Sequence, residues 1–394
     1  SGLFADKTSL IILYALLPAV FASAAGAAFQ GAVWGKKDYF SVSAAELIEQ
    51  TVRVLVCVVT VFFVRDLLGR ALVAAASLSI ACAVSSGILA LLYFKRGGKL
   101  ASPHGELTPL LKSAAPISVM RIMSCVINSL IAIIIPNRLI AAGMDVSSAM
   151  QVYGASVGMA MSLVTSPLTL TGSLAMALVP EISGAWQRGH RITVRTRVEK
   201  AISFAVIISL TLSPVFIVLG REVGEFVFGS AEAGEFLRKA AVLMLPMSVE
   251  QITSSMMNSL GLEKKAFRNF LFGAAALIAC LWFLPSALGI DALIVGLFLS
   301  NTVSAILHIL SIRRKNSIKM TFLRPCGLLA LCAVPAGALG YTVHRLIENY
   351  AGVTTLLTSA AVILATMVLL IMCFDLVDLN GFLPVPQAKN IKTG

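Results

Sequence analysis

Runs of about twenty mostly apolar residues recur along this chain, and a helix of that length is what crosses the roughly 30 Å hydrocarbon core of a bilayer. The apolar residues come as unbroken runs bounded by basic loops, not as period-2 or period-3.6 stripes with a polar face. Inside lipid every backbone N–H and C=O needs a partner, and a helix supplies them all within one segment. The runs therefore point to an all-α, polytopic membrane helix bundle. Composition agrees: 58% of the 394 residues are hydrophobic and 13% charged, where a soluble domain is about half apolar and a quarter charged. Eleven candidate spans emerge, near residues 9–33, 45–64, 71–94, 109–136, 149–179, 198–220, 237–260, 266–284, 290–312, 324–346 and 352–376.

The stretch AAELIEQTVRVLVCVVTVFFV (44–64) tests that reading. Its uncharged part, Val54 to Val64, makes only about 16 Å of helix and cannot cross. The half that carries Glu49 and Arg53 must enter the membrane too, with Glu46 at the interface. Glu49 and Arg53 are four residues apart and share a helix face, so they can compensate each other.

The net charge of +12 is explained by loops. Lys36 and Lys37, Lys95, Arg96 and Lys99, Arg188 to Lys200, Lys264, Lys265 and Arg268, Arg313 to Arg324, and Lys389 and Lys392 fall in alternate loops. The intervening loops are acidic or neutral, as in REVGEFVFGSAEAGEF (221–236). Positive loops face the cytoplasm, which predicts a multi-pass protein of the cytoplasmic membrane with a cytoplasmic C-terminus. No basic patch is interleaved with aromatics, which argues against nucleic acid. The segment WQRGHRITVRTRVEK (186–200) is the most basic; topology setting and contact with anionic lipid both fit it. Eleven spans place the N-terminus outside, yet no signal sequence is visible. An odd number of preceding helices would resolve this.

The first and seventh runs resemble each other without a gap. Pro18 falls on Pro246, Gln30 on Asn258, Lys36 and Lys37 on Lys264 and Lys265, and Tyr39 on Phe267. Six spans separate the copies, so both run in the same direction. Such parallel repeats occur in transporters, whose sites lie between the halves. With a six-helix unit, residues 1–94 form the second half of an N-terminal lobe whose first three helices are missing. Residues 95–108 link the lobes, 109–312 form the second lobe, 313–376 an extra helix pair and 377–394 a cytoplasmic tail. The parent would have about fourteen helices.

That layout resembles the multidrug/oligosaccharidyl-lipid/polysaccharide (MOP) exporter superfamily. FQGAVWGKKDYFSVSAAELIEQTVRV (29–54) resembles a loop-and-helix motif of its stage V sporulation protein B-like, polysaccharide-biosynthesis family. APISVMRIMSCVINSLIAIIIPNRL (115–139) is similar to the family's seventh helix, and VYGASVGMAMSLVTSPLTLTGSLAMALVPEISGA (152–185) to its eighth. The lipid II flippase branch usually has an Asp-Arg pair before the mid-helix proline; here SLVTSP (162–167) has only Ser162 and Thr165. The resemblance implies flipping of a lipid-linked saccharide or a peptidoglycan precursor.

Flipping needs a cavity for a diphosphate-sugar head group and two alternately open states. Arg offers a planar fork to phosphate, amides and hydroxyls suit sugars, and prolines let helices bend. Arg53 and Arg121 are the basic residues placed well inside spans, where a charge costs about 3 kcal/mol and seeks a partner or a watery cavity. Substrate-path candidates are Arg121 with Ser124 and Asn128 near its face, Arg53 with Glu49, and Gln30 and Asn258; structural ion pairing and interhelical hydrogen bonding are the plainer alternatives. Glu250 is a candidate for coupling to protons or sodium, or else a partner of Arg121. Pro18, Pro116, Pro167, Pro214 and Pro246 are hinge candidates, or static kinks.

Nothing in the sequence calls for a cofactor or metal; an ion gradient or the membrane potential would supply the drive. His308 packs near a helix end, and His104, His190 and His344 have no metal spacing. The seven cysteines read as reduced and buried. Loops of at most about twenty residues leave no room for a catalytic domain, which argues against an enzyme. The expected partners are an amphiphilic substrate and membrane lipid, with oligomeric state open. Two rivals stand beside the flippase: a drug or cation antiporter of the same superfamily, and a non-transporting membrane fragment.

Overall fold

The computed structural model describes residues 7–36, 38–64, 66–99, 107–316, 323–347 and 352–374. Lys37, His104, Lys319, Lys389, Lys392 and the tail 377–394 lie outside them. Among the described residues all regular structure is helical. The chain divides into two compact units, Ser1–Gly105 and Glu106–Gly394.

The first unit holds α1 (Lys7–Gly35), α2 (Tyr39–Val61) and α3 (Leu67–Lys95). Helices in lipid gain no hydrophobic drive from each other, so small residues and polar contacts seat them. Ser79 and Ser86 of α3 donate to the carbonyls of Ala15 and Ala22 of α1 at 2.9 and 2.6 Å. Asp38 caps α2 by accepting from the Ser41 amide at 3.2 Å and also pairs with Arg96 just past α3. Hydrogen bonds from Ser41, then from the Arg96 guanidinium, hold the Asp38 carboxyl down at about 2.

The second unit begins with α4 (Leu107–Ala141), which runs through Pro116 and Pro136 and so outlasts the span expected to end at 136. The run expected as one span over 149–179 is four pieces: α5 (Val146–Tyr153), a π-helix (Gly154–Ala160), α6 (Met161–Thr165) and α7 (Leu168–Gln187). Pro167 has no N–H to give and sits at the α6–α7 junction, which is closed by tight turns such as Leu170 N–H to the Pro167 carbonyl. α8 (Arg191–Phe228) is 38 residues long. Its first turns carry the basic segment, where Arg191 stacks on Trp186 at 3.3 Å, Arg195 pairs with Glu199 at 3.1 Å and Arg197 pairs with Glu181.

After α8 come α9 (Ala231–Ala240), a 3₁₀ turn (Ala241–Leu243) and α10 (Met244–Ser259). The single span expected at 237–260 is therefore broken. Pro246 explains it, because its ring excludes the carbonyl four residues back, that of Val242 in the 3₁₀ turn. Its repeat partner Pro18 instead lies within an unbroken helix. Then follow α11 (Glu263–Phe283), α12 (Pro285–Leu288), α13 (Asp291–Asn316), α14 (Leu323–Ile347) and α15 (Gly352–Cys373). Where α8 crosses α9, a Cβ on Gly224 would run into the Gly234 backbone, so only glycine permits the approach. Two buried clusters hold the unit: one around Ile135, Leu139, Leu237 and Met244, the other around Ile182, Ile202, Ile252 and Met256.

Nine helices among the described residues are long and apolar enough to cross a membrane. The other two expected spans differ for physical reasons. The run at 45–64 is helical only to Val61, in α2, and holds Glu46, Glu49 and Arg53, and the 237–260 run is interrupted at Pro246.

Candidate functional site

In the first unit, the charged residues of α2 pair within the helix and take hydrogen bonds from its neighbours. Arg53 Nη2 lies 2.8 Å from Glu49 Oε1, one turn away. The Cys82 thiol of α3 points at the same oxygen from 3.8 Å. Gln30 of α1 donates its amide to Glu46 Oε1 at 2.7 Å. Gln30 is thus an interhelical tie. Arg53 keeps a buried Nε without a partner among the described residues, and its side chain is 34% exposed. The cluster is a compensated pair with one cationic edge left over.

In the second unit, Arg121 is exposed on α4 and makes no direct ion pair among the described residues. Asn128, two turns on, is exposed as well; Ser124 between them is partly buried and donates to the Met120 carbonyl at 2.9 Å. The charge of Arg121 reaches the carboxylate of Glu250, partly buried on α10. The next residue, Gln251, accepts a 2.8 Å hydrogen bond from the Thr171 hydroxyl of α7. The Thr171–Gln251 bond thus joins α7 to α10, and the charge of Arg121 on α4 reaches the carboxylate beside it. Asn258 sits in the last turn of α10, partly buried, with its Oδ1 unpartnered among the described residues.

The sequence reading missed one feature of this unit. Gln151, Ser162, Ser166, Thr169 and Ser173 are all exposed, forming a polar stripe from α5 to α7. Their spacing of four, three and four from Ser162 onward is the helical period and was visible in the sequence. Ser166, Thr169 and Ser173 give their hydrogens to the carbonyls of Leu163, Ser166 and Leu170 at 3.0, 2.7 and 2.9 Å. Internal donation makes the hydroxyls tolerable in an apolar setting and leaves their lone pairs facing out.

Of the hinge candidates, Pro18, Pro116 and Pro214 lie inside helices, Pro167 at the α6–α7 junction and Pro246 in the first turn of α10. Pro136, Pro180 and Pro335 also lie within helices and were not singled out. His308 is fully buried on α13, 3.4 Å from the Thr253 hydroxyl. No group of His, Cys, Asp and Glu among the described residues could hold a metal ion. The described cysteines are free.

No family model matches the chain. It is 26% identical over 347 residues to stage V sporulation protein B of Bacillus subtilis (strain 168), covering 82% of this chain and 67% of that protein. Its fold matches a MATE transporter of Vibrio cholerae in its bent form, with TM-score 0.62 and 16% identity over 81% of this chain and 70% of the other. It also matches a MOP superfamily transporter from Pyrococcus furiosus, with TM-score 0.54 and 17% identity over 79% and 89%. The loop-and-helix motifs, the helical fold and these likenesses agree: the chain is similar in sequence to stage V sporulation protein B and shares the polytopic helical fold of these solved transporters.

Proposed function

We propose that this transporter moves a lipid-linked saccharide or related cell-wall precursor across the cytoplasmic membrane by alternating access. The observation that supports it is the polar stripe on α5 to α7, together with exposed Arg121, where α4 and α7 are otherwise apolar enough for a bilayer. A guanidinium in such a place is costly beside lipid and belongs to a water-filled path, whose wall the outward lone pairs of the stripe suit. In this reading the head group meets Arg121 through phosphate and the stripe through sugar hydroxyls. Glu250 is the coupling group, since it feels the Arg121 charge without a direct pair. The basic loops lie on the cytoplasmic side, the C-terminus with them.

The test is a liposome assay with a fluorescent lipid-linked oligosaccharide, read by chemical quenching of the outer leaflet. The parent should flip it, and Arg121→Ala should lower the rate by about a hundredfold, the cost of one lost charged contact of about 3 kcal/mol. An unchanged rate in the variant removes Arg121 from the path. Exchange of a cationic drug for sodium or protons, without lipid movement, would establish the antiporter reading instead.

A further inference from the structure

A groove of about 690 Å³ opens on the second unit between α8 and α14. It is lined by Pro214 and Ile217 of α8, Ala333 and Gly337 of α14, Val242 of the 3₁₀ turn and Phe298 of α13. Small residues on α14 create it: the space beside Gly337 reaches Val218 only at ordinary contact distance, 3.5 Å from an ideal Cβ. Its walls are apolar along their length. Polar groups gather at one end, where Arg238 and Tyr341 join the lining. There Arg238 lies 2.6 Å from Glu235, and Tyr341 accepts from Arg345 at 2.8 Å.

Three dimensions of this groove describe one occupant. From Ala330 to Tyr341 it follows α14 for about 16 Å, which is the depth of one leaflet in a hydrocarbon core of roughly 30 Å. Its volume lies in the range of sites that enclose a small molecule, about 300–1,000 Å³, room enough for one acyl chain. Its polar end carries a guanidinium and a phenol, the pair that marks the membrane–water interface. A bilayer lipid meets all three requirements, with a chain one leaflet deep and an anionic phosphate at its head. We propose that the α8–α14 groove is a binding site for a glycerophospholipid of the leaflet at the acidic-loop end, one acyl chain along Pro214 and Gly337 and its phosphate on Arg238. The lipid lies in the seam between α14 and α8, beside the direct packing of Leu329 and Ile371 on Val206 and Leu210. The site stands apart from the transport reading: its lining shares no residue with Arg121 or the polar stripe, and its ligand is a resident.

Two measurements on the full chain test it. Native mass spectrometry after extraction in mild detergent should find one phospholipid held by the parent. Retention should fall about tenfold or more in Arg238→Gln and in Gly337→Leu, which fills the groove. Equal retention in both variants, or a polyprenyl lipid as the held molecule, overturns the proposal. In vesicles of digalactosyl diacylglycerol, a bilayer lipid without phosphate, Phe298→Trp places a reporter on the groove wall. Brominated-chain phosphatidylglycerol should quench it saturably, at a small fraction of total lipid. Quenching that rises linearly with the brominated fraction means ordinary lipid contact and sinks the site, whatever the other variants do.

Discussion

The hydroxyl of Thr171 on α7 donates to Gln251 Oε1 on α10 at 2.8 Å, and the residue beside it is a glycine for want of room. An ideal Cβ on Gly172 would stand 2.9 Å from Gln251 Nε2. The amide thus lies over the glycine and ties two helices of the second unit together. Interhelical hydrogen bonds in membranes average about 0.6 kcal/mol and reach about 1.7 kcal/mol. Gln251→Ala should lower thermal stability in detergent by an amount of that order. Gly172→Ala should cost a similar amount by pushing the amide off Thr171. The double variant should cost less than the sum, because both changes remove one contact. Strict additivity in melts of the three proteins would show that Gln251 and Gly172 act separately.

In the first unit, removing one charge of Glu49–Arg53 should be worse than removing both. Glu49→Ala leaves a guanidinium without its 2.8 Å partner at membrane depth, a cost of about 3 kcal/mol. Glu49→Ala with Arg53→Met takes the charge away and should recover most of the folded yield. Quantifying folded protein by size exclusion across the single and double variants decides it. A double variant no better than Glu49→Ala would mean that the pair itself, not its neutrality, is needed.

Asp38 predicts a pH dependence. Ser41 and Arg96 hold its folded pKa at about 2, below the ordinary 3.8. A carboxyl depressed by folding adds stability that is present above its unfolded pKa and lost as pH falls through the folded one. The hold between the start of α2 and the end of α3 should therefore weaken between about pH 4 and pH 2. Melting temperature followed over that window should fall in the parent, with a flatter course in Asp38→Asn. Parallel slopes would remove Asp38 as the cause.

At the α8–α9 crossing, Gly224→Leu should be among the most damaging single changes in the chain. Its Cβ meets the Gly234 backbone, which cannot rotate aside. Overpacking of this kind typically costs 1–3 kcal/mol or more. Gly229, at the C-cap of α8 with φ of 64°, should tolerate Asn far better than Val, since Asn adopts that conformation at small cost. Melting curves of the three variants rank them, and a mild Gly224→Leu would contradict the crossing.

The helical class and the membrane character were legible because both rest on hydrophobic run length, which tertiary contacts do not alter. The charged half of α2 was legible for the same reason: the uncharged remainder is too short to cross. Breaks were not. Pro246 and Pro18 look alike in sequence, but only Pro246 interrupts its helix, since its effect depends on whether the neighbouring turns find other partners. At Pro136 and Pro180 the expected spans stop, and the helices run on through residues 141 and 187. The polar stripe was overlooked because its serines and threonines are spread thinly through an apolar run; their shared face emerges only when the helical period is followed from Ser162 to Ser173. The Thr171–Gln251 tie joins residues eighty positions apart and had no local signal.

The direction of the hydroxyl hydrogens from the α6–α7 junction into α7 has a chemical consequence. Ser166, Thr169 and Ser173 each spend their one hydrogen on their own helix. The surface they leave is a row of acceptors without donors. A molecule rich in O–H groups gains by meeting such a row, whereas one that offers only oxygen lone pairs finds nothing there to accept. The wall therefore sorts its visitors by the hydrogens they bring, and leaves every anion to the arginines.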